Sequence, residues 1–197
     1  DRSVGKMFGV LVVKDKRGNL GYLAAYSGKI FNHFNLAYFV PPVYNMFDPT
    51  SFYVAGESYT KALNEEFIAL QALQKDQHCD ERAARIVWIK QERQQVSQSL
   101  QAKLFEHYHI MNQYGTTKTI ASIFAIQDIT PKAGSGDCAT IRLFHYAFQH
   151  EYQPLALGEF WWGADTPSKN RIHLQHYTAC NEKCEPILNY MLFDKIK

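Results

Sequence analysis

Met7-Phe8-Gly9-Val10-Leu11-Val12-Val13 is a short apolar run rich in β-branched residues, followed by Lys14-Asp15-Lys16-Arg17-Gly18-Asn19 and then by Leu20-Gly21-Tyr22-Leu23-Ala24-Ala25-Tyr26. Branched side chains fit the pleated, half-buried surface of a sheet, so the first run reads as a buried strand. The polar hexapeptide with Gly18 reads as a turn, and the second run as the returning strand of a hairpin. Ser27-Gly28-Lys29 ends it. Such a hairpin must bury one face against another layer, and the rest of the chain has to supply that layer.

The following segments alternate between helical and extended character. Residues Ile30 to Ser58 are rich in aromatics and hold Pro41, Pro42 and Pro49, which reads as a long packed connection without regular helix. From Tyr59 to about Lys75, Leu63, Phe67, Leu70 and Leu73 recur at spacings of three and four, the mark of an amphipathic helix. A second helix is predicted from about Asp80 to Met111, with Ile89, Val96, Leu100, Leu104, Tyr108 and Met111 as its stripe. Thr119 to Gln127 reads as a strand. Lys132 to Asp137 is a Gly-rich turn, with Asp137 as candidate N-cap of a helix over Cys138 to Gln149. Leu155 to Trp162 reads as a strand and Thr166 to Gln175 as a polar connection. A closing helix spans Cys184 to Leu192, with Pro186 in its first turn. The expected class is α/β (α+β). A mixed sheet is covered by helices, in a single domain over residues 1–197 with a helical insertion over about 59–113.

Composition narrows the function classes. With 46% hydrophobic and 20% charged residues, the chain has the makings of a real core and is not of the disordered class. A net charge of +2 sets up no global field, so any RNA contact requires a local basic patch. No apolar run approaches the roughly 18 residues of a membrane span, so no membrane partner is expected. Asp1-Arg2-Ser3-Val4 leads into the first strand without a cleavage-site pattern. Both ends read as cuts inside a longer protein. Four cysteines are too few for a secreted disulfide framework, which predicts reduced thiols in the cytoplasm.

Several segments carry a family resemblance. They include Gly5 to Val13 with Gly21 to Lys29, Phe39-Val40-Pro41-Pro42-Val43-Tyr44, and Glu92-Arg93, Ser97 and Leu100-Gln101. The most specific are Gly134-Ser135-Gly136-Asp137-Cys138-Ala139, Gly158-Glu159-Phe160-Trp161-Trp162-Gly163 and Lys183-Cys184-Glu185-Pro186-Ile187-Leu188. In this order the chain resembles the N-terminal accessory region of long-form RluA-type RNA pseudouridine synthases. The resemblance implies that uridine-to-pseudouridine isomerisation belongs to a separate domain downstream. That domain uses an aspartate in a His-Arg-Leu-Asp type motif, which this chain lacks. The partners so implied are RNA and the chain's own catalytic domain, and no residue here inherits a catalytic role.

Cys138, Cys180 and Cys184 are the candidate metal ligands. A Cys-x-x-x-Cys pair at a helix start can place two thiolates on one ion, and a helix N-terminus favours the thiolate. Cys138 opens another helix and supplies a third ligand. Water, His173 or His176 is the fourth, and the expected metal is a structural zinc. The order of elements resembles zinc nucleoside deaminases, with two departures. Thr140 stands where that signature has its proton-shuttling Glu, and the Cys pair is one residue wider. Each thiol also has a plain alternative as a buried packing group.

RNA contact, on the same reading, falls to Arg82, Arg85, Lys90 and Arg93 on one arc of the long helix, and to Trp161 and Trp162. The alternative for the arginines and lysine is a solvated face with local ion pairs. Strand alternation sends the two tryptophans to opposite faces, one inward and one outward. Glu159 is expected to bond a buried partner, with Arg142 or Arg171 as candidates.

Overall fold

In the computed structural model, which describes residues 5–30, 33–76, 79–166 and 170–193, β1 (Lys6–Lys14) turns back into β2 (Leu20–Tyr26). The turn is held by Asp15, whose Oδ1 accepts from the N–H groups of Arg17 and Asn19 at 2.8 Å each. Gly18 takes the left-handed conformation there, at φ +86°. The pairing runs from Phe8 opposite Tyr26 to Lys14 opposite Leu20. A third strand, β5 (Gln153–Trp162), lies along the other edge of β1, so the sheet order is β2-β1-β5. Both pairings are antiparallel. The mixed helix-and-strand class and the shared sheet of hairpin and Leu155–Trp162 are therefore as expected, but the sheet is wholly antiparallel and not mixed.

Helix α4 (Ala139–Gln149) packs on all three strands. Gly9 marks the closest approach: a Cβ there would lie 2.9 Å from Leu143 Cδ1 and 3.2 Å from the Ala139 Cβ. Leu11 and Val13 are buried, whereas Val10 and Val12, pointing the other way, are each 37% exposed. The helix is buried nearly all round, including Thr140, Arg142 and His145. Helix α5 (Glu185–Phe193) was expected to lie on the sheet. Its packing partners are instead α4, a short helix α3 (Ile120–Ile126) and a short strand β3 (His109–Met111).

Three boundaries differ from expectation, each for a local reason. Thr119–Gln127 is not a strand; only Thr117–Thr119 is extended, as β4 paired with β3. Beyond it, Ile120, Ile123 and Phe124 fall on one helical face and are all buried, and the Thr119 side chain caps the helix at Ser122 N–H. Burial of that face overrides β propensity. The N-cap of α4 is Cys138, one residue later than expected. The Asp137 carboxylate instead accepts from the Tyr108 hydroxyl at 2.6 Å. The first insertion helix, α1 (Phe52–Asp76), starts seven residues earlier than expected, behind Ser51, whose Oγ accepts from Tyr53 N–H at 3.1 Å. The second, α2 (Asp80–His107), ends before Tyr108 because Ile110 and its neighbours pair with β4.

The chain divides into two units, Asp1–Asn45 with Glu106–Lys197, and Met46–Phe105. The second contains α1 and most of α2, which run antiparallel. Their contacts pair Gly56 with Leu100 and Glu66 with Arg85. Among the described residues no helix is long and apolar enough to cross a membrane.

Candidate metal centre

Cys138 stands at the start of α4, and Cys180 and Cys184 flank the turn that opens α5. That turn is closed by two N–H groups, of Cys184 and Glu185, which both donate to Cys180 O. The closure brings the Cys180 Sγ to 3.4 Å from the Cys184 Sγ. The sulfurs of Cys138 and Cys184 are in disulfide contact, with their Cα atoms 7.0 Å apart. All three sulfurs lie within 4.8 Å of one another, so the three cysteines are close enough to hold one metal ion.

Other contacts hold the two loops together without the sulfurs. Lys183 Nζ donates to Ala133 O at 2.7 Å, and Lys132 Nζ pairs with Glu182 at 2.6 Å. Gly136 makes the Gly-rich turn possible: at φ +95°, a Cβ there would meet Ile120 Cδ1 at 2.5 Å. Cys184 is buried, while Cys138 and Cys180 are partly exposed, so the cluster reaches the surface. An all-sulfur donor set suits zinc, whose thiolate bonds of about 2.3 Å require sulfurs somewhat under 4 Å apart. Cys180 and Cys184, with sulfurs 3.4 Å apart, are near that spacing, whereas the Cys138 and Cys184 sulfurs are in disulfide contact and must part for both to ligate one ion.

Neither histidine expected as fourth ligand joins the sulfur group. His173 Nδ1 accepts from Gly163 N–H at 3.1 Å, and its ring stands edge-on to Trp162. The Nδ1 of His176 lies 3.1 Å from Glu159 O. Cys79 sits apart from the cluster as a free thiol.

Glu159 is the residue whose role the sequence reading placed least well. It is 8% exposed in mid-strand. Its partner is neither arginine but the backbone of α4: Thr140 N–H donates to its Oε1 at 3.2 Å. Burial pushes its carboxyl up from the usual range, opposed by the Thr140 hydrogen bond and the Arg171 charge. Arg142, 1% exposed, donates to Gly28 O at 3.2 Å and stands 4.7 Å over Phe34, and burial lowers its affinity for the proton. Arg171 lies 4.1 Å over Tyr177. The only sequence signal for Glu159 was an acidic residue flanked by glycine and three aromatics inside a strand.

The expected RNA-contacting residues lie elsewhere. On α2, Arg85 forms a double hydrogen bond to Glu66 and lies 4.2 Å over Trp88. Arg82 donates to Leu73 O at 2.8 Å. Lys90 and Arg93 both stand over Phe67, at 5.7 and 5.6 Å. Trp161 is half-buried, its indole N–H donating to Ala164 O at 2.8 Å, whereas Trp162 is 39% exposed.

No protein-family model matches the chain, and neither a curated protein nor a solved structure shows significant similarity to it.

Proposed function

We propose that this chain is a zinc-stabilised accessory domain of an RNA pseudouridine synthase, held in shape by Cys138, Cys180 and Cys184 and working beside a catalytic domain of the same protein. The observation that carries the zinc reading is the convergence of three sulfurs from two helix starts. The parentage rests on the motifs in the sequence. The three most specific of them contain Cys138 and Cys184, at the starts of α4 and α5, and Glu159, in β5 with its carboxyl on the Thr140 N–H.

In this role the metal ties the Gly-rich turn to the start of α5 and contributes directly to folding free energy. RNA contact is assigned to Arg82, Arg85, Lys90 and Arg93, which would have to leave their contacts with α1 to reach phosphates, and to Trp161 and Trp162, of which Trp162 is the more exposed. The domain alone carries out no isomerisation.

Metal analysis of protein purified under reducing conditions tests the zinc reading. About one zinc per chain is expected, lost in Cys184→Ser. Zinc-free protein that keeps its melting temperature when chelator is added would refute it. For the parentage, the test is the native gene product: a synthase domain following this chain, active on RNA and impaired by loss of this domain, is expected. A gene product without such a domain would refute it.

A further inference from the structure

The sulfurs of the cysteine cluster meet in two different ways. Cys138 and Cys184 are in disulfide contact, which joins the residue before α4 to the residue before α5. Cys180 stands beside that pair, its Sγ 3.4 Å from the Cys184 Sγ. Zinc ligation and a disulfide are exclusive uses of the same atoms. Zinc takes its sulfur ligands as thiolates, whose negative charge makes the bond to the metal. A coupled pair has given up that charge, and the single sulfur left over, that of Cys180, supplies too few donors for a tetrahedral site.

Exposure divides the coupled pair. Cys138 is partly exposed, and Cys184 is buried at 2% exposure. An oxidant arriving from solvent therefore meets Cys138, with Cys184 held against it as the resolving sulfur. Cys180 is also partly exposed, but the sulfur in bonding contact with Cys184 is that of Cys138. The two segments stay in register whichever bond the sulfurs make. Lys183 Nζ holds Ala133 O, and Lys132 Nζ holds Glu182. A Cys138–Cys184 cross-link spans a sequence separation of 46, so it restrains the unfolded chain when the metal is gone.

We propose that the cluster is a redox-controlled metal site, in which a peroxide couples Cys138 to Cys184 as a disulfide and expels the zinc. The inference rests on the metal reading above. The Cys138 thiolate attacks one oxygen of hydrogen peroxide, the O–O bond breaks, hydroxide leaves and Cys138 becomes a sulfenic acid. The Cys184 thiolate then attacks the sulfenic sulfur, the S–S bond forms and a second hydroxide leaves. Protons from solvent convert both hydroxides to water. The pair of sulfurs loses two electrons and the peroxide gains them, while Cys180 remains a thiol. A dithiol reductant reverses the coupling by thiol–disulfide exchange and restores the ligands.

Zinc-loaded full-length chain treated with hydrogen peroxide tests it, with metal release and peptide mass mapping as readouts. Reduced chain that takes up no zinc would overturn the metal reading, and this inference with it. With zinc bound, peroxide should release about one zinc per chain, link the Cys138 and Cys184 peptides and leave Cys180 open to alkylation. Dithiothreitol with added zinc should restore the starting form. Zinc retained under peroxide would leave the metal reading standing and overturn the redox control. Release with a Cys180–Cys184 linkage, or with sulfinic acids and no linkage, would overturn it equally. Cys180→Ser gives a readout independent of the metal: the Cys138–Cys184 linkage should still form under peroxide. Failure of that linkage in a variant of normal circular dichroism would overturn the proposal.

Discussion

The two units of this chain handle polar side chains in opposite ways. In the α/β unit, Arg142, Glu159, His145, Thr140 and Asn112 are all buried, and the cysteine cluster lies in the same unit. In the helical unit the buried residues among those described are apolar apart from Ser51. Its charges stay at the surface and pair across the two helices, as Glu66 does with Arg85. A buried polar group costs free energy unless a partner answers it, so a fold that keeps several of them has restricted its own geometry. The lesson is that the buried polar groups are concentrated in the α/β unit, while the helical unit is built as an ordinary antiparallel pair.

The largest effect should come from the cysteines. On the proposed zinc site, Cys184→Ser should abolish metal binding and lower Tm by on the order of 10 °C, since several kcal/mol of ligation would be lost from a chain of this size. Calorimetry with and without chelator checks it, and an unaltered melting curve would break the contrast between the units at its strongest point.

Core truncation sharpens the comparison next. Ile89 in the helical unit and Ile123 in the α/β unit are 0% and 2% exposed. Truncating either to Ala should destabilise by about 3 kcal/mol, because both lose the same apolar burial and leave a cavity. Denaturant unfolding that showed a cost in one unit only would mean that the helical pair is not packed as described.

Above the carboxylate range, the pH response should come from the α/β unit. His145 is 7% exposed, and burial, reinforced by the His150 charge, lowers its pKa from 6.5 to about 4. Its Nδ1 accepts from Met111 N–H at 3.2 Å, which requires the neutral ring. Between those two pH values the unfolded chain binds the proton and the folded chain does not. Stability from this group is therefore whole above about pH 6.5 and is lost as pH falls toward 4, by roughly 3 kcal/mol at most. Urea titrations at stepped pH, compared with His145→Gln, should show the slope flatten in the variant; parallel curves would sink the assignment.

The smallest effect should be at the surface of the helical unit. Glu66→Gln breaks an exposed pair with Arg85 and should leave Tm nearly unchanged. A large drop would show that the helices depend on that pair. Under the proposed RNA role, replacing Arg82, Arg85, Lys90 and Arg93 by Gln should reduce the salt dependence of RNA binding by this protein, by somewhat under one unit of slope per lost phosphate contact. An unchanged slope would leave these side chains as helix-pair contacts only.

Much of the local structure was legible in the sequence because its causes are local. The apolar β-branched run Met7–Val13 and the polar turn with Asp15 and Gly18 pointed to the hairpin, apolar stripes pointed to α1 and α2, and a Gly-rich turn with a cap candidate pointed to α4. Cysteines at two helix starts were sufficient reason to expect convergence, and the sulfurs do converge. Tertiary structure alone decided the rest. Ile120–Ile126 carries strand-forming residues and becomes helix because burying Ile120, Ile123 and Phe124 on one face outweighs their weak β preference. Glu159 found Thr140 N–H because β5 lies beside β1, a pairing between segments some 150 residues apart that no local pattern specifies. A side chain's conformational preference belongs to its own few residues, but the partner of a buried polar group is set by whichever segment the packed core brings against it.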